Sequence, residues 1–234
     1  MKLQKLYSYV RRAVDDYNMI EDGDRIVIGI SGGKDSLTLL YALSGMRDFY
    51  PKKYEIVAVT VDLGYEGFDL TPIQKLCDEL KVEYHIEKTE ISKMIGEVGC
   101  SLCARLRRGA IGQSAKALGC NKIAYAHSMD DAVETMMLSL IYEGRFSSFE
   151  PVTRYEDNEI TLIRPLIYTP ASAVVGFANR YELPIVKNLC PFDNETERTY
   201  VRNLLNDINK HAPGVKDRML TAIKSGVPSY KIEK

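Results

Sequence analysis

Apolar residues recur at two different periods along this 234-residue chain. From Leu3 to Asn18 the spacing is helical, with charged residues on the opposite side, which predicts an amphipathic helix. Four later runs are strand-like, the first of them short and β-branched: "RIVIGI" (Arg25 to Ile30), "EIVAVTVD" (Glu55 to Asp62), "VEYHIE" (Val82 to Glu87) and "KIAYAH" (Lys122 to His127). Runs of this kind form buried strands, and helical periodicity fills the stretches between them. The alternation predicts an α/β fold, with a parallel sheet built from right-handed crossovers, helices on both faces, and ligands at the carboxyl ends of the strands. Near the C-terminus, "NETERTYVRNLLNDINKHAPGVKDRMLTAIKSG" predicts two helices interrupted at Pro213 and Gly214. The pattern divides the chain into an N-terminal helix (1–24), a sheet domain (25–190) and a C-terminal helical segment (191–234).

Composition narrows the class. With 45% hydrophobic and 27% charged residues the chain has enough apolar content for one full core. No segment reaches the uninterrupted apolar length of a membrane span, and the start lacks a signal-peptide core, so the expected location is the cytoplasm, away from membranes. A net charge of −1 gives no global attraction to nucleic acid, which leaves local clusters such as "ARLRRG" (Ala104 to Gly109) to supply it. Among fifteen tyrosines the sequence singles out none as a platform for a base.

The turn after the first strand reads "ISGGKDS" (Ile30 to Ser36) and opens directly into a helical pattern. Two glycines let a ligand approach the backbone closely, and the N–H groups and positive dipole end of the following helix favour phosphate. Ser31, Lys34 and Ser36 add donors from side chains. This is not a Walker A loop, because Ile28 stands where that pattern needs glycine and Asp35 where it needs Ser or Thr. The second strand ends in "VDLGYEG" (Val61 to Gly67), which brings Asp62 and Leu63 to the base or ribose side of a nucleotide held there.

The five cysteines lack the context of a disulfide framework and point to metal or redox chemistry. Cys100 and Cys103 form a C-x-x-C pair at the start of a helix, near Arg105, Arg107 and Arg108, and Cys190 lies in a loop bounded by Pro184 and Pro191. The pair by itself fits half a zinc site, a redox dithiol, an iron–sulfur ligand pair, or plain proximity. Cys77 and Cys120 read as packing residues. In "AHSMDDAVET" (Ala126 to Thr135), His127, Asp130 and Asp131 follow the fourth strand. Carboxylates there stabilise a helix start, and two of them facing the glycine loop also suit Mg²⁺ and a triphosphate.

The loop resembles the PP-loop signature S-G-G-x-D-S of enzymes that split ATP into AMP and pyrophosphate. In order and spacing, "SGGKDS", "CSLCARLRRG", "AHSMDDAVET", "IRPLIY" (Ile163 to Tyr168) and "NLC" (Asn188 to Cys190) resemble the tRNA 2-thiocytidine synthetase family of PP-loop ATPases. The resemblance implies a Rossmann-like domain with ATP on Ser31, Gly32, Gly33, Lys34, Asp35 and Ser36. It implies a [4Fe-4S] cluster on Cys100, Cys103 and Cys190. The implied reaction is adenylation, then thiolation, of C2 of an anticodon-loop cytidine in tRNA. On this reading Asp131 and Arg107 act in catalysis, while Asp62, Leu63, His127, Asp130, Asp131 and Arg164 serve the nucleotide. Sulfur then comes from sulfide, a persulfide carrier or a cysteine desulfurase, and a homodimer would extend the RNA-binding surface. The chain has Ser128 and Met129 where the family usually carries His and Arg, and Lys187 where it carries a further Cys. The same chemistry on another nucleoside or a small molecule, and a sulfur-free PP-loop ligase, stay open.

Overall fold

The computed structural model describes residues 1–94, 99–154, 160–186, 189–190 and 197–226, with backbone alone for residues 99–101. Helix α1 (Leu3–Asp16) turns Leu6, Val10, Ala13 and Val14 inward as a single stripe. It ends just before Asn18, which takes a left-handed φ of 47°. The chain continues through β1 (Asp24–Gly29), α2 (Lys34–Met46), β2 (Tyr54–Asp62), α3 (Thr71–Glu79), β3 (Glu83–Lys88), α4 (Ile91–Met94), α5 (Gly99–Ala117) and β4 (Lys122–Ala124). Helix α6 (Met129–Leu138) runs into a π-helical turn over Ser139–Glu143. It is followed by β5 (Val152–Arg154), β6 (Thr161–Ile163), α7 (Ala171–Arg180), α8 (Glu197–His211) and α9 (Val215–Ser225).

The sheet has six strands in the order β3-β2-β1-β4-β6-β5. All pairings are parallel except β5 against β6. The four expected strands are present, although the fourth stops at Ala124 rather than His127. The antiparallel β5–β6 edge is an addition to the parallel sheet that the pattern predicts.

Alternation along each strand separates two cores. Ile26, Ile28, Ile56, Ala58, Ala124 and Ile163 face the main core, which holds Leu6, Leu37, Leu40, Ile73 and Phe177 of α1, α2, α3 and α7. Val27, Val57, Val59, Ile123 and Leu162 face Ile111 and Ala115 of α5. Helices α8 and α9 pack on α6, with Val201 and Leu205 of α8 against Val133 and Met136. No described helix is long and apolar enough to cross a membrane. Strand order reverses between β1 and β4, so the crevice at their carboxyl ends is the place where this topology receives a ligand.

A buried ion pair pins the other end of these two strands. Lys122 Nζ lies 2.6 Å from Asp24 Oδ2, with side chains 8% and 3% exposed. Asp24 also accepts from Asn121 Nδ2 at 2.7 Å and Glu21 N–H at 2.6 Å, and Lys122 donates to the Met19 carbonyl at 3.0 Å. Lys122→Met strands a buried carboxylate and is expected to cost about 3–5 kcal/mol in urea unfolding. The double variant Asp24→Asn with Lys122→Met should regain most of that loss, since the unpaired charge is gone.

Candidate nucleotide and sulfur site

Strand β1 delivers the chain into the crevice, and the loop that follows is braced from within. Ser36 Oγ donates to the Gly33 carbonyl at 2.9 Å and accepts from Ser31 N–H at 3.2 Å. The Gly33 N–H donates to Ser31 Oγ at 3.3 Å. Ser36 is only 3% exposed, so its hydroxyl shapes the loop from inside. No side chain caps the start of α2, which leaves its first N–H groups at the crevice for a phosphate. Lys34 Nζ rests 2.7 Å from Asp35 Oδ2, with side chains 38% and 33% exposed. An exposed pair of this kind is worth little, so an incoming phosphate readily takes the lysine.

Gly32 is the conformational key to the loop. Its φ is +79°, which a residue with a side chain seldom adopts. A Cβ built there would lie 3.1 Å from Val186 Cβ. The Val186 N–H donates to the Gly32 carbonyl at 3.0 Å, so the segment leading to Cys190 is strapped across the glycine loop.

At the neighbouring strand end, the Asp62 carboxylate accepts from Gly64 N–H at 2.9 Å, while the Asp62 carbonyl accepts from Thr89 N–H at 2.9 Å. Leu63 packs with Val61, Ile91 and Leu106 around Cys103, which places it on the sulfur side of the crevice. Cys103 is buried and Cys190 half-buried. Both thiols act on the Tyr65 hydroxyl: burial first, then the charge and hydrogen bond of Cys190, then Cys103, raise its pKa, and the exposed Arg107 opposes them. Tyr65 is a neighbour of the candidate thiols that the sequence pattern does not reveal. Its one signal is its position in the turn after β2. The Cys100 side chain lies outside the described residues, among which no group of three metal-ligating side chains forms.

The fourth strand's end carries a second cluster. The Arg164 guanidinium, 8% exposed, donates through Nε to His127 Nδ1 at 3.2 Å and through its NH1 nitrogen to Thr153 Oγ1 at 3.0 Å. Phe149 lies against both, 4.8 Å from the His127 ring and 5.0 Å from the guanidinium carbon. A guanidinium only donates, so Nδ1 must accept and the neutral ring keeps its proton on Nε2. Burial and then the Arg164 charge, aided by Arg198 and Arg108 and opposed by Asp131, push the His127 pKa from 6.5 down to about 4. The unfolded chain therefore binds a proton between those pH values that the folded chain refuses, and stability rises with pH across that window. Full stability is expected above pH 6.5, with about 3 kcal/mol lost by pH 4 from this group. A His127→Gln variant should lack that part of the slope when unfolding is compared across the window.

The two aspartates divide their work in a way that adjacency in sequence hides. Asp131 Oδ2 accepts from Ser128 N–H at 2.7 Å and Ser128 Oγ at 2.8 Å, closing a capping box at the start of α6. Its Oδ1 lies 3.9 Å from Arg198 of α8. Asp130 accepts from the Ala171 N–H at 2.6 Å and pairs with Lys216 at 2.8 Å. Both Asp130 oxygens thus hold α7 and α9 in place, a use that the sequence pattern, which points this carboxylate at the nucleotide, does not show. Arg198 shares the buried Glu134 with Arg202, which grips that carboxylate through two nitrogens at 2.8 and 3.1 Å. This ion network between α6 and α8 is likewise absent from the sequence pattern.

A PP-loop domain family matches residues 3–208. The chain is 38% identical to a tRNA-cytidine(32) 2-sulfurtransferase from Geobacter sulfurreducens, covering 100% of this chain and 94% of that one. It is 36% identical to the protein of that name from Dechloromonas aromatica, covering 97% and 83%. Among solved structures, the U34-tRNA thiolase NcsA from Methanococcus maripaludis with its [4Fe-4S] cluster superposes with a TM-score of 0.80 at 24% identity, over 95% of this chain and 77% of that one.

Proposed function

We propose, for a chain that belongs to the PP-loop family of tRNA-cytidine(32) 2-sulfurtransferases, that it spends ATP to replace the C2 oxygen of a tRNA cytidine with sulfur. One observation carries the reading. The backbone strap on Gly32 is made by Val186, four positions before Cys190, and the charges of Cys190 and Cys103 both bear on Tyr65, which supports one crevice for the phosphate cradle and the thiols.

ATP is the first substrate. Its phosphates rest on the Gly32 and Gly33 backbone and on the first N–H groups of α2, while Lys34 leaves Asp35 to offset charge on the departing pyrophosphate. Of the Asp131 oxygens, Oδ1 lies outside the capping box, and we assign it to the Mg²⁺ that accompanies the triphosphate. The cytidine O2 attacks the α-phosphorus; an O–P bond forms, the bond to the β-phosphate oxygen breaks, and pyrophosphate leaves. Hydrosulfide then adds at C2, AMP departs with the former O2 and the C–O electron pair, and loss of the S–H proton leaves the 2-thio group. The Nε2–H of His127 is the donor at this strand end for oxygen charge that builds during the transfer.

Cys103, in its apolar setting of Val61, Leu63, Ile91 and Leu106, and Cys190 suit the soft iron of a cluster, with Cys100 as third thiolate. When bound, the [4Fe-4S] group supplies a metal site that holds sulfur, so that no protein cysteine is consumed in a turnover. Arg107, exposed near Tyr65, is assigned to substrate phosphate or to the departing AMP. Anaerobic incubation with ATP, Mg²⁺, sulfide and tRNA, followed by nucleoside mass spectrometry, tests the reading. The expected result is 2-thiocytidine at position 32 with equal AMP and pyrophosphate. Thiolation of another nucleoside would move the substrate, and AMP without a thiolated product would favour the sulfur-free ligase.

A further inference from the structure

A cavity of about 470 Å³ opens beside α5 along β4 and β6, floored by Ile123, Tyr125, Ile160 and Leu162. Its helical wall carries Arg105, Arg108, Gly109, Gly112 and Lys116. Steps of three, four and four residues put Arg105, Arg108, Gly112 and Lys116 on one side of the helix, over about 16 Å. A Cβ added at Gly109 or Gly112 would meet nothing within 4 Å, so bare backbone keeps the groove open. Among the described residues no carboxylate pairs with Arg105, Arg108 or Lys116, and Arg108 Nε donates to the Ala104 carbonyl at 3.3 Å.

The groove also leads somewhere. The Tyr125 ring on its floor lies 5.9 Å from the His127 ring, and the Arg108 charge reaches His127. An occupant running along α5 therefore arrives at the strand end assigned above to the transfer. The wall is cationic and the floor aromatic and aliphatic, in a chain whose net charge is −1. That is the chemistry of a single-stranded nucleic acid site, with phosphates on one side and a base plane on the other.

We propose that this groove binds the single-stranded loop of the substrate RNA, with backbone phosphates on Arg105, Arg108 and Lys116 and a base against Tyr125. The inference rests on the tRNA reading above and names the surface that reading needs. The experiment is equilibrium binding of unmodified tRNA to the full chain between about 50 and 200 mM salt. The variants are the triple Arg105→Gln/Arg108→Gln/Lys116→Gln, Gly112→Trp, and, for comparison, Arg11→Gln at an exposed arginine of α1. Each phosphate contact of a single strand contributes about 0.7 to the slope of log affinity against log salt. The triple variant is expected to lose about 2 from that slope and at least about tenfold in affinity at low salt. Gly112→Trp fills the groove from a position with open space and should weaken binding to a similar extent with an unchanged melting temperature. Arg11→Gln should leave affinity and slope in place, and ATP binding should be unchanged in all three.

Native affinity and slope in both the triple variant and Gly112→Trp, in a chain that still thiolates tRNA, would overturn the groove and leave the function standing. No tRNA binding by the unaltered chain would remove the functional reading and the groove together. A lowered melting temperature in the triple variant with unchanged tRNA affinity would overturn it differently, by assigning the cations to holding the fold.

Discussion

Gly32→Val is expected to reduce kcat/KM for ATP at least about 100-fold, whereas Gly33→Ala, one residue on, should cost a few-fold at most. The difference follows from backbone geometry. Gly32 holds a φ of +79°, a genuine outlier for a β-branched residue, and its new Cβ would meet Val186 Cβ at 3.1 Å. That neighbour is tied to its own main chain and cannot swing aside as a long side chain would. Gly33 has a φ of −81°, and a Cβ there meets only Ser31 Oγ at 3.4 Å, an ordinary contact. Left-handed strain and displacement of the Val186 strap together are worth about 3 kcal/mol, or roughly two orders of magnitude. Pyrophosphate release and calorimetric binding of a non-hydrolysable ATP analogue measure it, with a thermal melt to show that the sheet is intact. Equal activity in the two variants would mean that the loop does not hold the phosphates.

The contrast between these glycines shows which parts of the site are readable from sequence. The pair itself stands out, because β1 is an unbroken apolar run and α2 begins at once, and two glycines between such elements have few uses. Which glycine carries the strain is hidden, since it depends on Val186, far away in the chain. The central strands are legible because both faces are buried and β-branched. Strands β5 and β6, three residues each, are too short to make a pattern of their own and exist through pairing with β4 and with each other. Asp130 and Asp131 look alike in sequence, yet the geometry of a helix start sends one into a capping box with Ser128 and the other to the Ala171 N–H and Lys216. Arg198 has no local signal and Tyr65 only its position after β2, because Arg198 answers to Glu134 and Asp131 of α6 and Tyr65 to Cys103 and Cys190. Ser128 completes the helix cap with Asp131, since serine is a favoured N-cap residue.

The largest loss is expected from the cysteines, and it should be selective. Cys190→Ser and Cys103→Ser are each expected to lower tRNA thiolation at least about 1,000-fold while retaining ATP binding, with iron and acid-labile sulfide lost from anaerobically purified protein. Serine keeps the size of the side chain but offers a hard oxygen of very high pKa in place of a soft thiolate, which iron disfavours. Cys103→Ser should also lower the melting temperature, because that side chain is buried among Val61, Leu63, Ile91 and Leu106, and Cys190→Ser should not. Cys77 makes the decisive comparison. It is fully buried in α3, where no ligand reaches it, and burial pushes its thiol up to about 12, so it stays protonated at neutral pH. Cys77→Ala is therefore expected to keep full iron content and thiolation, at the cost of some stability from the small cavity it leaves. If Cys190→Ser thiolated tRNA at the native rate, or if Cys77→Ala lost its iron as the other two do, the sulfur chemistry would have to be moved away from the crevice shared with the glycine loop.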